Sequence, residues 1–118
     1  MSRIYLPGKQ IEVADVIDAV ASLYNFTPEQ MVQESRGRMQ LAFARQLAMF
    51  IAYELCNKSQ QQIGQEFGGR DHTTVIHARK IISSCLKKPR YESPKQEKDR
   101  IALANVINQV GETLNKNQ

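Results

Sequence analysis

The stretch GGRDHTTVIHARKI, residues 68–81, joins two glycines and a polar cluster to an apolar segment with helical spacing. Asp71 precedes the first residue of the expected helix, and β-branched side chains occupy every position from Thr73 to Ile76. Such side chains are mediocre helix formers because the preceding turn restricts their χ1 angle. A helix that starts against local preference is a candidate functional site. Four hypotheses follow: a metal site, a phosphate loop, a catalytic histidine, or a helix end that binds a ligand.

The residues before this stretch predict a second, shorter helix. Ser59 and Gln62 have the spacing of a capping box, which marks the first turn of a helix. Gly68 and Gly69 are expected to end that helix, because glycine is favoured where the chain turns left-handed after a helix. Asp71 is then the N-cap of the longer helix. A short helix, a glycine turn and a longer helix together form a helix-turn-helix pattern.

Apolar residues recur at helical spacing through the rest of the chain, and no alternating strand pattern appears. Further helix starts are predicted at Thr27, with Pro28 at the first helical position, and at Ser93. These signals predict an all-α fold of about six helices. The predicted apolar stripes are Val13, Val16, Ile17, Val20 and Tyr24; Leu41, Ala44, Ala48, Ile51 and Leu55; Val75, Ala78, Ile82 and Leu86; and Leu103, Ile107, Val110 and Leu114.

Length and composition describe one small domain. The chain has 118 residues, of which 42% are hydrophobic and 24% charged, as in ordinary globular proteins. We expect the domain at residues 11–114, between a flexible N-terminal segment, residues 1–10, and a flexible tail, residues 115–118. Cys56 and Cys85 lie far apart and are expected to be reduced, buried thiols.

The chain shows no signal for a membrane. No apolar run approaches the roughly 18 residues that a membrane helix needs. The N-terminal sequence MSRIYLPGKQ lacks the apolar core of a signal peptide. We therefore expect a cytoplasmic protein, associated with the nucleoid if it binds DNA. No heptad repeat is sustained, so we also expect a monomer.

Positive charge is concentrated in the middle of the chain. Residues 34–90 hold ten Lys and Arg against four Asp and Glu, a net charge of +6. Residues 1–33 carry a net charge of −2, and residues 91–118 are balanced. A basic region of this kind is typical of a protein that binds a polyanion.

The opening stretch does not fit enzyme or cofactor chemistry. His72 and His77 are about 500° apart around a helix, so they cannot share a metal ion as an i, i+4 pair does. The two glycines lack the spacing of a phosphate-binding loop, which argues against nucleotide binding. Asp71, His72 and Thr73 are adjacent and would splay around the first turn, which does not suit a nucleophile and its base. We expect no catalysis, no metal and no cofactor, and favour a helix end that contacts nucleic acid.

The segments IGQEFGGRDHTTVIHARKI and RQLAMFIAYEL closely resemble the C-terminal DNA-binding domain of DnaA, the bacterial replication initiator. The resemblance extends from about Ile11 to about Val110. It implies a Trp-repressor-like helix-turn-helix fold that binds short asymmetric boxes in duplex DNA. Such a domain reads the major groove with its recognition helix and inserts an arginine into the neighbouring minor groove. The expected function is sequence-specific binding to DnaA-box-like sites, in replication initiation, its regulation or transcriptional control.

The resemblance also assigns roles to individual residues. The expected base readers lie at the start of the recognition helix. They are Arg70, Asp71, His72, Thr73 and Thr74. The expected phosphate contacts are Arg45, Gln46, Gln60, Gln61 and Lys80. For the minor groove, the family's arginine falls on Gly37, so Arg36 or Arg38 substitutes for it. Tyr53 and Ile81 stand where the family often has basic side chains.

Two other classes of function stay open. One is a protein-interaction module that kept this fold and lost DNA binding, which the arginine-poor loop at residues 36–39 favours. The other is an RNA-binding protein or the targeting domain of a transposition enzyme, although no aromatic stacking platform or catalytic residues are apparent. The chain is either a fragment of an initiator or a stand-alone protein, and we favour the second.

Overall fold

The computed structural model describes residues 11–33 and 39–116 and contains six α-helices in that part of the chain. The prediction of an all-α fold is confirmed, since none of these residues is in a strand. Helix α6 continues to Lys116, beyond the domain boundary expected at residue 114. The helices are α1 (Val13–Leu23), α2 (Pro28–Val32), α3 (Met39–Leu55), α4 (Gln60–Glu66), α5 (His72–Leu86) and α6 (Pro94–Lys116).

Three capping boxes fix the starts of α2, α4 and α6, as the sequence predicts. At the start of α2 the backbone N–H of Gln30 donates to the Thr27 hydroxyl at 3.2 Å, and the N–H of Thr27 donates to the Gln30 side chain at 2.8 Å. Ser59 and Ser93 make the same paired bonds with the glutamines three residues later. Each box satisfies two N–H groups that a helix start would leave without partners.

Helix α3 is the centre of the fold. It packs against α1, α2, α4 and α5, while α6 packs against α1 and α5. The predicted apolar stripes are buried, except that four of their residues are half-buried. Those four residues are Tyr24, Leu55, Leu86 and Ile107. The helix-turn-helix pair α4 and α5 is thus attached to the core by one side and presents its other side to solvent.

Two glycines set the turn between α4 and α5. Gly68 has a φ angle of 82°, in the left-handed region, as expected after a helix end. A Cβ atom at Gly68 would also overlap the carbonyl oxygen of Val32 in α2. A Cβ atom at Gly64 would overlap the carbonyl oxygen of Arg70. The turn can therefore lie this close to α2 and α4 only because both positions lack a side chain.

The two cysteines differ in exposure. Cys56 is buried after the end of α3, as expected, and burial raises the pKa of its thiol to about 12. Cys85 is exposed, so the expectation of a buried thiol is wrong there. Cys85 is the last residue but one of α5, and it lines an open depression beside the start of α6. Within the described residues, no helix is both long enough and apolar enough to cross a membrane.

Candidate nucleic-acid interface

The start of α5 is organised by the carboxylate of Asp71. This residue occupies the N-cap position, as predicted, but its side chain makes no capping hydrogen bond. One carboxylate oxygen instead accepts a hydrogen bond from the Thr73 hydroxyl at 2.8 Å. The other lies 2.9 Å from Nδ1 of His72. Asp71 therefore fixes the orientation of the two side chains that follow it.

These bonds also determine which hydrogen-bonding groups of the three side chains remain available to a ligand. The hydrogen bond from Thr73 is the largest factor that lowers the pKa of Asp71, and contacts with His72 lower it further, so the carboxylate is ionised at neutral pH. An ionised carboxylate can only accept, so Nδ1 of His72 must carry the proton. In the neutral ring Nε2 is then an acceptor. The hydroxyl proton of Thr73 is likewise used, which leaves its oxygen free to accept.

The candidate readers lie on an open surface. Asp71, Thr73 and Thr74 are exposed and His72 is half-buried. Between α4 and the start of α5 is a polar depression of about 340 Å³. It is lined by Gln61, Gln62, Gln65, Arg70, Asp71 and His72. The amide side chains of α4 thus stand directly beside the candidate readers of α5.

Arg70, the first expected base reader, is engaged inside the protein. Its guanidinium donates to the carbonyl oxygen of Phe67 at the end of α4. It also donates to the carbonyl oxygen of Gln33, after α2, at 2.6 Å. The side chain is half-buried, and it connects the α4–α5 turn to the end of α2. A base contact by Arg70 would require these bonds to be exchanged.

Arg45, an expected phosphate contact, has a position unlike that of a surface anchor. Only 5% of the residue is exposed. Its guanidinium donates to the carbonyl oxygens of Met31 at 3.0 Å, Gln30 at 2.6 Å and Gln33 at 3.1 Å. Burial is the main cause of a lowered pKa, and the positive charge of Arg70 adds to it. The last carbonyls of a helix have no donor within the helix, and Arg45 donates to carbonyls at the end of α2, which explains why it lies there and not at the surface.

The other expected phosphate contacts lie around the helix-turn-helix. Gln61 and Lys80 are exposed, and Gln46 and Gln60 are half-buried. The capping box at the start of α4 uses the N–H groups of Ser59 and Gln62, so it does not compete for those of Gln60 and Gln61. The expected minor-groove arginines, Arg36 and Arg38, lie outside the described residues.

The structure adds one residue that the sequence reasoning missed. The guanidinium of Arg79 in α5 lies over the Tyr53 ring, 3.6 Å from its centroid. It also donates to the side-chain oxygen of Gln60 at 2.5 Å. The sequence holds one signal for it, because Arg79 follows His72 by seven residues and so lies on the same side of the helix.

Comparison with known protein families agrees with this geometry. The model of the bacterial DnaA protein helix-turn-helix matches residues 13–82, which is more than half of the chain. The matched region runs from the first residue of α1 into α5 and stops short of Val110, the limit of the resemblance in the sequence. This domain of DnaA binds double-stranded DNA and is not catalytic. From α1 to α5 the fold, the turn glycines and the polar start of α5 all agree with that match, and the chain belongs to the family of bacterial DnaA helix-turn-helix domains.

Proposed function

We propose that this protein binds duplex DNA sequence-specifically at DnaA-box-like sites, with the start of α5 in the major groove. The observation that carries the proposal is the fixed cluster of Asp71, His72 and Thr73 at an exposed helix start. The first residues of the second helix are those that reach base edges in a helix-turn-helix protein. A cluster that is already oriented loses little side-chain entropy when it binds.

The hydrogen-bonding pattern of the cluster indicates which bases it reads. Asp71, the Thr73 oxygen and Nε2 of His72 all present acceptors, for the reasons given above. In the major groove, the donors are the amino groups of adenine and cytosine. Thr74 adds a methyl group that can pack against the methyl group of thymine. The proposed site therefore favours amino groups at the positions under Asp71 to Thr73.

Contacts to the DNA backbone fix the orientation of the cluster. Lys80 and Gln61 are exposed and are proposed phosphate contacts, together with Gln46 and the N–H groups of Gln60 and Gln61. For Arg45 we assign an indirect role, because its guanidinium holds the end of α2.

Arg36 and Arg38 are the proposed minor-groove contacts. Gln33 is the last described residue before them, and the two arginines follow it in the sequence by three and five residues. Narrow A·T-rich minor grooves attract arginine because their potential is strongly negative. Replacing both arginines with alanine should weaken binding most where the box has an A·T-rich flank.

Fluorescence anisotropy with labelled duplexes tests the proposal. One duplex carries a DnaA-type box, a second has the same bases in scrambled order, and the third probe is RNA of the box sequence. We expect the box to bind at least tenfold more tightly than the scrambled duplex at physiological salt, without any added nucleotide. Equal affinity for both duplexes would leave only a basic surface and contradict sequence reading.

The second candidate function is a protein-interaction module with weakened DNA binding. It is favoured by the bonds of Arg45 and Arg70 to backbone carbonyls of the protein, which occupy the guanidinium groups of two arginines expected to contact DNA. The same titration separates the candidates, because a module that has lost DNA binding shows no preference for the box.

For the cellular role we propose replication initiation, its regulation, or transcriptional control, with the protein bound to the nucleoid. Immunoprecipitation of cross-linked chromosomal DNA would test this. Enrichment of fragments with DnaA-type boxes is the expected result, and a profile equal to that of input DNA would contradict it.

A further inference from the structure

Arg79 lies where three helices meet. It stands in the middle of α5, Tyr53 is near the end of α3, and Gln60 is the first residue of α4. The planar guanidinium stacks on the Tyr53 ring at 3.6 Å and donates one hydrogen bond, 2.5 Å long, to Gln60. Stacking and hydrogen bonding together hold this cation in one orientation.

The guanidinium of Arg79 is fixed in orientation, but few of its N–H donors have a hydrogen-bond acceptor. Its Nε atom is buried and has no hydrogen-bond partner. Within residues 11–33 and 39–116, Gln60 is the only acceptor for Arg79, and no carboxylate pairs with it. A guanidinium has five donors, and donors left without acceptors cost free energy. A cation kept in this state suits an anionic ligand that arrives from outside.

The position of Arg79 identifies the anion. Its side chain lies on the same side of α5 as His72 and beside the start of α4. In a helix-turn-helix protein the helix before the recognition helix crosses the sugar–phosphate backbone while the recognition helix enters the groove. With His72 at the bases, the start of α4 and Arg79 therefore face the strand that borders the groove.

We propose that Arg79 contacts a phosphate of the bound DNA, and that Tyr53 and Gln60 are positioning residues that hold its guanidinium ready. The inference rests on the proposed function, because it takes the orientation of the duplex from the cluster at Asp71. A phosphate accepts two parallel hydrogen bonds from a guanidinium, which a lysine cannot supply.

The salt dependence of binding tests the contact. A plot of log affinity against log salt concentration has a negative slope, and removing one phosphate contact reduces the magnitude of that slope by about 0.9. We expect Arg79→Gln to reduce this magnitude by that amount and to weaken binding to box and scrambled duplexes by the same factor. Lys98→Gln is the matched control, since it removes one charge from the exposed part of α6. Its slope should equal that of the wild type.

Tyr53 variants test the positioning role. Tyr53→Phe keeps the ring under the guanidinium and should bind as the wild type does. Tyr53→Leu should weaken binding, and the loss should disappear when Arg79 is already glutamine, because the ring then has no cation to hold. Arg79→Lys should recover the salt slope but only part of the affinity. A purely structural role for the stack would instead make the two losses additive.

One measurement needs no substitution, which matters if Arg79→Gln fails to fold. The Nε–H group of Arg79 gives its own NMR signal, and we expect that signal to shift when duplex DNA is added. A signal that does not move, or a folded Arg79→Gln variant with the wild-type salt slope, would overturn the proposal. In either case the box preference of the wild type would still stand. A wild-type protein that binds no duplex would overturn the proposed function and this inference together.

Discussion

At the scale of single residues, polar side chains at the start of α5 are held by one carboxylate. Asp71 accepts from Thr73 and His72 and thereby sets the acceptors that face outward. The sequence identifies these residues as a set, because their position at a helix start after a glycine turn is a local feature. It does not show that Asp71 bonds to the side chains of its neighbours in place of a capping bond, since either arrangement fits the same three letters.

Replacing Asp71 with asparagine should reduce discrimination between box and scrambled DNA. The amide has one acceptor in place of two oxygens, so either Thr73 or His72 loses its partner. Each good base contact is worth about 1–3 kcal/mol, which corresponds to a roughly 5- to 150-fold loss of preference. Anisotropy titrations measure it, with circular dichroism to verify folding. Unchanged preference in a folded variant would place base reading elsewhere.

Replacing Arg45 with methionine should destabilise the fold more than it alters DNA contacts. The substitution leaves the carbonyls of Met31, Gln30 and Gln33 without this donor, and the bond to Met31 is buried. We expect a loss of about 2–4 kcal/mol in the free energy of unfolding. Urea denaturation measures it. A variant as stable as the wild type, with a reduced salt slope, would restore the view of Arg45 as a direct phosphate anchor.

At the scale of elements, helix boundaries can be predicted from the local sequence, but the contacts of long side chains cannot. The capping boxes at Thr27, Ser59 and Ser93 are visible in sequence because both partners lie within four residues. Arg45 and Arg70 both donate to the carbonyl oxygen of Gln33, which only the tertiary fold brings near them. Sequence reasoning therefore predicted the helices and the polar helix start but placed two arginines at the surface.

The glycine turn gives a paired prediction. Gly69→Ala should cost about 1 kcal/mol of stability, because only its left-handed φ angle of 77° opposes a side chain. Gly68→Ala should cost about 3 kcal/mol, because its Cβ atom also meets the Val32 carbonyl. Urea denaturation of both variants measures the difference. Equal losses would mean that α2 can move away from the turn.

The connection into α6 should depend on pH. Arg100 donates to both carboxylate oxygens of Glu92, at 2.7 and 3.2 Å, and these bonds lower the pKa of Glu92. A lowered folded-state pKa contributes stability above the ordinary value of 4.5, and this contribution is lost as the pH falls through the lowered value. The thermal stability of Glu92→Gln should therefore be below that of the wild type at neutral pH and converge with it in acid. The control Glu112→Gln should follow the wild type throughout.

At the scale of the whole molecule, most residues of the apolar stripes are buried in the core of a single chain. A groove of about 340 Å³ lies between α3 and α6. Phe50, Ile51, Leu55 and Ile107 supply its apolar lining, and Glu54 and Glu112 lie among the lining residues. Glu112, which is exposed on α6, stands against pairing of this groove with an identical copy.

We therefore expect a monomer. Light scattering coupled to size exclusion should give the mass of one chain, 13.4 kDa, across the accessible concentration range. A stable dimer would contradict this, and substitution of Ile107 by glutamate would then show whether the groove forms the interface.

The carbonyl oxygen of Gln33 accepts hydrogen bonds from Arg45 in α3 and from Arg70 beside the start of α5. The point where the chain leaves α2 is therefore held at a set distance from α5, the helix proposed to read bases. Residues 34–38 begin at that point, and the arginines proposed for the minor groove belong to them. Under the proposed function, the scaffold would set the spacing between the two parts of a target site separately from the identity of the bases. A protein engineer could exchange residues 72–74 to obtain a new target sequence and keep that spacing unchanged.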